Sequence, residues 1–354
     1  MATPTFIPQH VKDRLSNWWA NGDQEFPCLL AETPKPDYAA TVPDTADLKR
    51  FWTDIDFILA RNLAHIEATT YHGLAVPFHY IDQGSSAMAC ALGCPMVFVD
   101  KETVWADHCL SSVEEVAELT LDDNHPVYAR ILELTRRSAA QAKNHHVVAP
   151  FALEGMTDVM AALYGMENFL VDLIDQPEAV ERAMTNLKRL WLQAFARVQA
   201  EIARSGNAGG IGWVGIWAPG TTFPIQEDVA YNLSPEMFRQ FCIPHIVDEI
   251  AAMEYPLFHL DGIGMLPHLD ALLEIQNLPA IQWQPGAGKE AIAEWYEVLR
   301  RILAAGKSVQ VYAEPQEVDG LVKNVGAKGL MVKLTNASPE AVAQLLERYP
   351  QDRG

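Results

Sequence analysis

The apolar positions along the chain recur with two different periods. Val11, Leu15, Trp18 and Trp19 fall at helical spacing and predict a short amphipathic helix over residues 11–19. Pro27, Pro34, Pro36 and Pro43 punctuate an irregular stretch around residues 28–31. Asp44 then reads as the cap of a long helix over 46–69. Residues 74–81 read as a strand, Gly84-Ser85-Ser86 leads into a small-residue helix ending near Ala91, and 96–99 is a further short apolar run. A helix is predicted over 127–144, with Ile131, Leu134 and Ala139 as its core stripe.

From residue 145 onward strands and helices alternate. The reading is strand 145–152, helices 157–164, 166–173 and 177–204, strand 210–217, and helix 234–253. Strand 256–261 with helix 266–275, strand 280–284 with helix 292–305, strand 308–313 with helix 315–325, and strand 329–334 with helix 339–348 complete the chain. These last strands are near-continuous apolar runs, as parallel strands covered on both faces are. Alternation of this kind implies an α/β fold with parallel strands and right-handed crossovers. No Gly-x-Gly-x-x-Gly turn or phosphate-binding loop follows any strand, which favours a (β/α)8 TIM barrel over a doubly wound nucleotide-binding sheet. Residues 1–70 read as an N-terminal helical extension packed on the barrel, and 71–354 as the barrel itself.

In such a barrel the chemistry sits where strands end. His259 and Asp261 stand two apart on strand 256–261, so alternation puts both on one face, and Gly262 lets the backbone turn after them. Other strand ends carry Trp283 and Gln284, Tyr312 and Glu314, and Lys333 and Thr335. Earlier strands contribute Glu154, Trp213, Trp217 and His79. The expected site is a cavity walled by tryptophans into which His259 and Asp261 open. Plainer roles compete: Glu154 and Glu314 also fit helix caps, Trp283 a packing wall, and Lys333 a partner for Glu314 or Asp261.

Composition narrows what such a site binds. With 354 residues, 49% hydrophobic and 20% charged, the chain can bury a large core. Its formal charge of -20 repels phosphate backbones and anionic lipid, so nucleic acid and membranes are excluded as partners and a small, weakly charged molecule is expected. Five cysteines, an odd and sparse set, argue against a disulfide framework and for a reducing, cytoplasmic setting. Neither a signal peptide nor an apolar stretch of ~20 residues is visible.

Four stretches resemble the uroporphyrinogen decarboxylase and corrinoid-linked methyltransferase superfamily. They are Ala162-Leu163-Tyr164-Gly165-Met166-Glu167-Asn168-Phe169-Leu170 running on to Pro177, Asp228 through Leu233-Ser234-Pro235-Glu236-Met237-Phe238 to Pro244, Phe258-His259-Leu260-Asp261-Gly262, and Ile281-Gln282-Trp283-Gln284-Pro285-Gly286-Ala287-Gly288. The last looks like an uncharacterised branch of that superfamily. The resemblance implies a (β/α)8 barrel and one of two chemistries: decarboxylation of a tetrapyrrole's acetate arms, or methyl transfer between a corrinoid and a thiol or methylated substrate. The arginine-rich N-terminal segment of the decarboxylases is missing here, where residues 14–30 carry Trp18-Trp19 and acidic neighbours. The methyltransferases' zinc-binding His-x-Cys pair is replaced by His259-x-Asp261, and no cysteine follows Cys242. A soft thiolate site has become a harder one, suited to a metal such as zinc on His259, Asp261 and Glu314, or to an acid–base pair.

The expectation is therefore an enzyme, a methyltransferase in preference to a carboxy-lyase, with a non-catalytic binding barrel as the further alternative. Its substrate would lie between Trp217, Trp283 and Tyr312, with Trp213, Gln284, Lys333, His79 and Glu154 as further binding residues. Asp228, before the Ser-Pro-Glu segment, would orient the substrate or a loop, and His259, Asp261 and Glu314 would act with it. A corrinoid carried by a partner protein is the expected cofactor source, and a second copy of the chain a candidate partner.

Overall fold

The structure is a computed structural model that describes residues 6–38, 40–289 and 291–352. Seven strands form one sheet. In chain order the strands are β1 Cys28–Pro34, β2 Thr69–Gly73, β3 Phe78–Tyr80, β4 Met96–Phe98, β5 Val104–Ala106, β6 Val147–Ala149, β7 Gly210–Ile211, β8 Trp217–Ala218, β9 Pro224–Ile225, β10 Leu257–Asp261, β11 Ala280–Gln284, β12 Ser308–Ala313 and β13 Leu330–Leu334. The sheet runs β2-β1-β13-β12-β11-β10-β9, parallel throughout except where β1 meets β2. β3 and β6 form a separate parallel pair, and β7 with β8 an antiparallel one. The fold is thus mixed α/β with a mainly parallel sheet. Among the described residues no helix is long and apolar enough to cross a membrane.

Strand alternation sorts the core into two layers. Phe258, Leu260, Ile281, Trp283, Val309, Val311, Leu330 and Val332 pack outward among the helices. Leu257, Ala280, Met331, Cys28 and Leu30 point the other way, into a second core with Trp18 and Trp19. The helix Gln9–Trp19 closes that second core from below, burying the four apolar positions its spacing marked. Its indoles are pinned as well as packed: Trp18 Nε1–H donates to the Gly329 carbonyl (2.9 Å) and Trp19 Nε1–H to the Trp217 carbonyl (3.0 Å). A buried indole brings a large apolar area but needs such an acceptor for its N–H.

Several expectations are corrected. The first 70 residues are not merely an extension, because β1 lies inside the sheet between β2 and β13. The helix expected over 46–69 is two, Leu48–Thr53 and Ile55–Glu67, each started by an aspartate whose side chain accepts an amide: Asp47 from Arg50 and Asp54 from Phe57. Asp54 is itself extended, so the helix must break there. Asp44 instead binds Lys101 Nζ (2.5 Å). The strand expected over 210–217 is a hairpin, reversed by Gly215 at φ +83°. In the helix expected over 234–253, residues Phe238–Cys242 form a π turn just ahead of Pro244. Proline supplies no amide proton there, so the helical ladder cannot continue unbroken through it.

Candidate active site

The site begins with a strand the sequence reading missed. β9 is only two residues long, yet its pairing with β10 delivers Gln226, Glu227 and Asp228 beside the end of β10. The segment is clamped to the helix Met156–Tyr164 by a reciprocal exchange. Glu227, fully buried, accepts the Met156 and Thr157 amides (3.1 and 2.8 Å) and the Thr157 hydroxyl. Asp158, one residue further on, accepts the amides of Val229 and Asp228 (2.7 and 3.2 Å). Each carboxylate thus satisfies backbone donors of the other segment, a cap supplied from across the fold.

On β10, His259 and Asp261 share a face, as alternation requires. His259 is 8% exposed. Its Nδ1–H donates to Gln282 Oε1 on the neighbouring strand, which leaves Nε2 free to accept or to ligate. Nε2 lies 3.8 Å from Asp261 Oδ2, and the edge of Trp213 packs against the ring at a centroid distance of 4.8 Å. Asp228 completes the group: one donor atom from each of Asp228, His259 and Asp261 falls within 4.8 Å of the others, the one such set among the described residues.

A cavity opens on either side of this group, one at His259 and one at Asp228. One, of about 630 Å3, is walled by His259, Trp213, Gln284, Tyr312, Glu314 and Thr335. The other, of about 800 Å3, has Asp228, Asp158, Glu154, Gln226, Trp105 and Met166 among its walls. Among the described residues, neither wall carries a lysine or arginine. Two acceptors, Asp228 Oδ1 beside the second cavity and Gln284 Oε1 beside the first, are buried and have no hydrogen-bond partner among the described residues. Such atoms are costly to leave bare and mark places where a cation or donor belongs.

The electrostatics follow from burial among like charges. Burial, then Asp158, pushes Asp228 up to about 7 against the pull of His259. Burial and Asp158 likewise push Glu227 up to about 8. Glu154 is raised well above the carboxylate range by burial and Asp158. Burial opposes the His259 imidazolium, but Asp261, Asp228 and Gln282 together outweigh it, and the ring titrates above its ordinary value. Burial pushes the Tyr312 hydroxyl up to about 12.

The predicted residues divide accordingly. His259, Asp261 and Asp228 come together; Trp213, Gln284 and Tyr312 line the first cavity and Glu154 the second. Glu314 is on the first cavity's rim but outside the three-residue set: Gln316 and Asn336 hold its carboxylate and lower its pKa, Asn336 first. Of the trio expected as His259, Asp261 and Glu314, Glu314 lies outside the group that gathers around His259, and Asp228 stands there instead. Trp283 is wholly buried in the helix layer against Trp295, and Trp217 belongs to the lower core, so neither walls the site. Trp213 and Tyr312 take that place. Lys333 pairs with Glu32 (3.4 Å) rather than with Asp261 or Glu314. His79 is structural, bridging Asn62 (2.6 Å) and Ser138 (2.7 Å) between two helices. Asp158 and Glu227 were missed; the only signal near them is the polar run Gln226-Glu227-Asp228 directly after the short apolar Phe223-Pro224-Ile225, too brief to show a period.

No family model matches the chain, and no curated protein does. Among solved structures it is similar to a methyltransferase from Methanosarcina mazei, with a TM-score of 0.63 and 14% identity over 97% of this chain and 98% of that one. At that identity the likeness is one of fold, and it extends over essentially the whole of both chains.

Proposed function

We propose that this chain is a (β/α)8-barrel enzyme that transfers a methyl group to or from a small, weakly charged molecule, with a corrinoid carried by a partner protein on the other side of the exchange. The observation that carries the reading is the convergence of Asp228, His259 and Asp261, with one cavity lined by His259 and another by Asp228. The resemblance in the Ser234-to-Pro244 segment and the fold shared with a methyltransferase support it. A barrel accounts for strands whose alternate residues face an inner core capped by the Gln9–Trp19 helix.

The donor set fits a divalent metal. One imidazole nitrogen and two carboxylates are acceptable zinc ligands, and the Gln282 contact on Nδ1 fixes the tautomer that presents Nε2. A metal held there would supply Lewis acidity to the heteroatom that bears or receives the methyl group. The protein's own residues do the rest. Trp213 and Tyr312 offer flat walls to the substrate, and the unpartnered Gln284 oxygen offers it an acceptor. The raised His259 holds a proton for a leaving heteroatom if no metal occupies Nε2. That second arrangement supports a proton-transfer reading, including the carboxy-lyase alternative. Against decarboxylation of a polycarboxylate stands the lack, among the described residues, of any lysine or arginine in either cavity wall.

The test is methylation of a reduced free corrinoid, followed by absorbance, with methylated ethers, amines and thioethers as donors. Turnover by the wild type and loss of at least ~100-fold in His259→Ala is expected. Turnover that survives His259→Ala unchanged removes the assignment.

A further inference from the structure

Two thiols outside the polar junction stand in contact. Cys94 Sγ and Cys109 Sγ are 2.8 Å apart, and both are free thiols in the structure. Main-chain hydrogen bonds hold each side of the contact. The Cys94 amide donates to the Ala89 carbonyl (3.1 Å) at the end of the short helix Ala87–Ala91. The Cys109 and Leu110 amides both donate to the Leu163 carbonyl (3.0 and 3.1 Å), and the Asp107 amide donates to Pro95 (3.0 Å). The pairing is thus set by backbone placement, not by one side chain's rotamer. A disulfide needs sulfurs about 2.05 Å apart, so closure asks for a movement of under about an ångström.

We propose that Cys94 and Cys109 are an oxidative modification site, closing to a reversible intramolecular disulfide when the chain meets a peroxide. The two cysteines divide the work by exposure. Cys109 is exposed and meets the oxidant, while Cys94 is 2% exposed and its thiol is held well above the ordinary range by burial and by Cys109. In the first step the Cys109 thiolate attacks hydrogen peroxide; an S–O bond forms, the O–O bond breaks, and hydroxide leaves. In the second the Cys94 sulfur attacks the Cys109 sulfenic acid; the S–S bond forms and the S–O bond breaks. The departing hydroxyl takes the Cys94 proton and leaves as water. Overall two thiols give up two electrons and two protons, and peroxide is reduced to two waters. Cys94 serves as the resolving thiol, which spares Cys109 from further oxidation.

The location gives the bond a consequence. Trp105, Ala106 and His108, all between the two cysteines in sequence, line the 800 Å3 cavity. Closure would tie the end of that wall to the turn that follows the helix Ala87–Ala91. This inference rests on neither a bound metal nor methyl transfer, and it stands or falls apart from them.

The experiment uses the full chain, reduced, freed of reductant, treated with hydrogen peroxide, alkylated and digested for mass spectrometry, with thiols counted in denaturant. Two of the five thiols should be lost. One cross-linked peptide pair should join Cys94 to Cys109, lighter by two hydrogens and reopened by dithiothreitol. In Cys109→Ser, an exposed and conservative change, the cross-link should vanish and the remaining thiols should survive. Sulfinic acid at Cys109 with Cys94 still alkylated, or a cross-link that omits either residue, would overturn the proposal.

Discussion

His259 is defined as much by what it cannot do as by what it can. Its Nδ1 is committed to Gln282, so only Nε2 faces Asp261 and the cavities. On the proposed function, Gln282 is a positioning residue for His259. Gln282→Leu should leave the fold intact yet lower turnover by roughly 10- to 100-fold, the usual scale for losing the partner that orients a metal-binding histidine. The readout that separates this from plain destabilisation is metal affinity, which should fall in parallel. Glu249 makes a contrasting case. It is fully buried, neither carboxylate oxygen has a hydrogen-bond partner among the described residues, and burial followed by Glu227 raises its pKa well above the usual range. A raised acid contributes its stability below its ordinary pKa and loses it as pH climbs toward the folded value. Glu249→Gln, which does not titrate, should therefore gain on the wild type as pH rises. Urea unfolding at pH 5 and pH 8.5 checks this: a stability difference that does not widen at the higher pH contradicts it.

At the scale of elements, the clamp between the helix Met156–Tyr164 and the segment after β9 governs the site. Glu227→Ala strips three donors of a buried acceptor and should cost about 2–4 kcal/mol in denaturant unfolding. The N-terminal helix is a second lever, since Trp18→Ala empties a fully buried site and loses the Gly329 contact, for about 3–5 kcal/mol. Elements also show where the sequence was readable. The long strand–helix pairs after residue 256 were, because continuous apolar runs define their strands. So was the shared face of His259 and Asp261, from alternation alone. The same parity, carried across the register that pairs His259 with Gln282 and Asp261 with Gln284, puts both glutamines beside the site and turns Trp283 outward. The tryptophan drew attention by its chemistry, while its neighbours held the position. Short strands were not readable, because two residues such as Pro224–Ile225 carry no period. His79 misled for a related reason: a three-residue strand does not show which side its middle residue takes, and helix packing decided it.

At the scale of the whole molecule, charge and cavity agree. The chain carries -20 overall, and among the described residues no lysine or arginine lines either cavity. Self-repulsion of that size weakens the compact state and is screened over about 10 Å at 0.1 M salt. The melting temperature should accordingly rise between 0.02 and 0.3 M sodium chloride (roughly, for a screened surface), and a flat or falling trend would show that local pairs dominate. The parallel sheet fixes where strands end, and β9, β10 and β11 in succession bring Asp228, His259 and Gln284 to one rim. What that rim does turns on whether its three ligand-type side chains act as one. Elemental analysis of the purified chain, wild type beside Asp228→Asn, His259→Ala, Asp261→Asn and Glu314→Gln, asks this directly. The account predicts about one zinc or similar divalent ion per chain in the wild type and in Glu314→Gln, and its loss in the other three. Metal that persists in those three variants, or that departs only with Glu314, would contradict it.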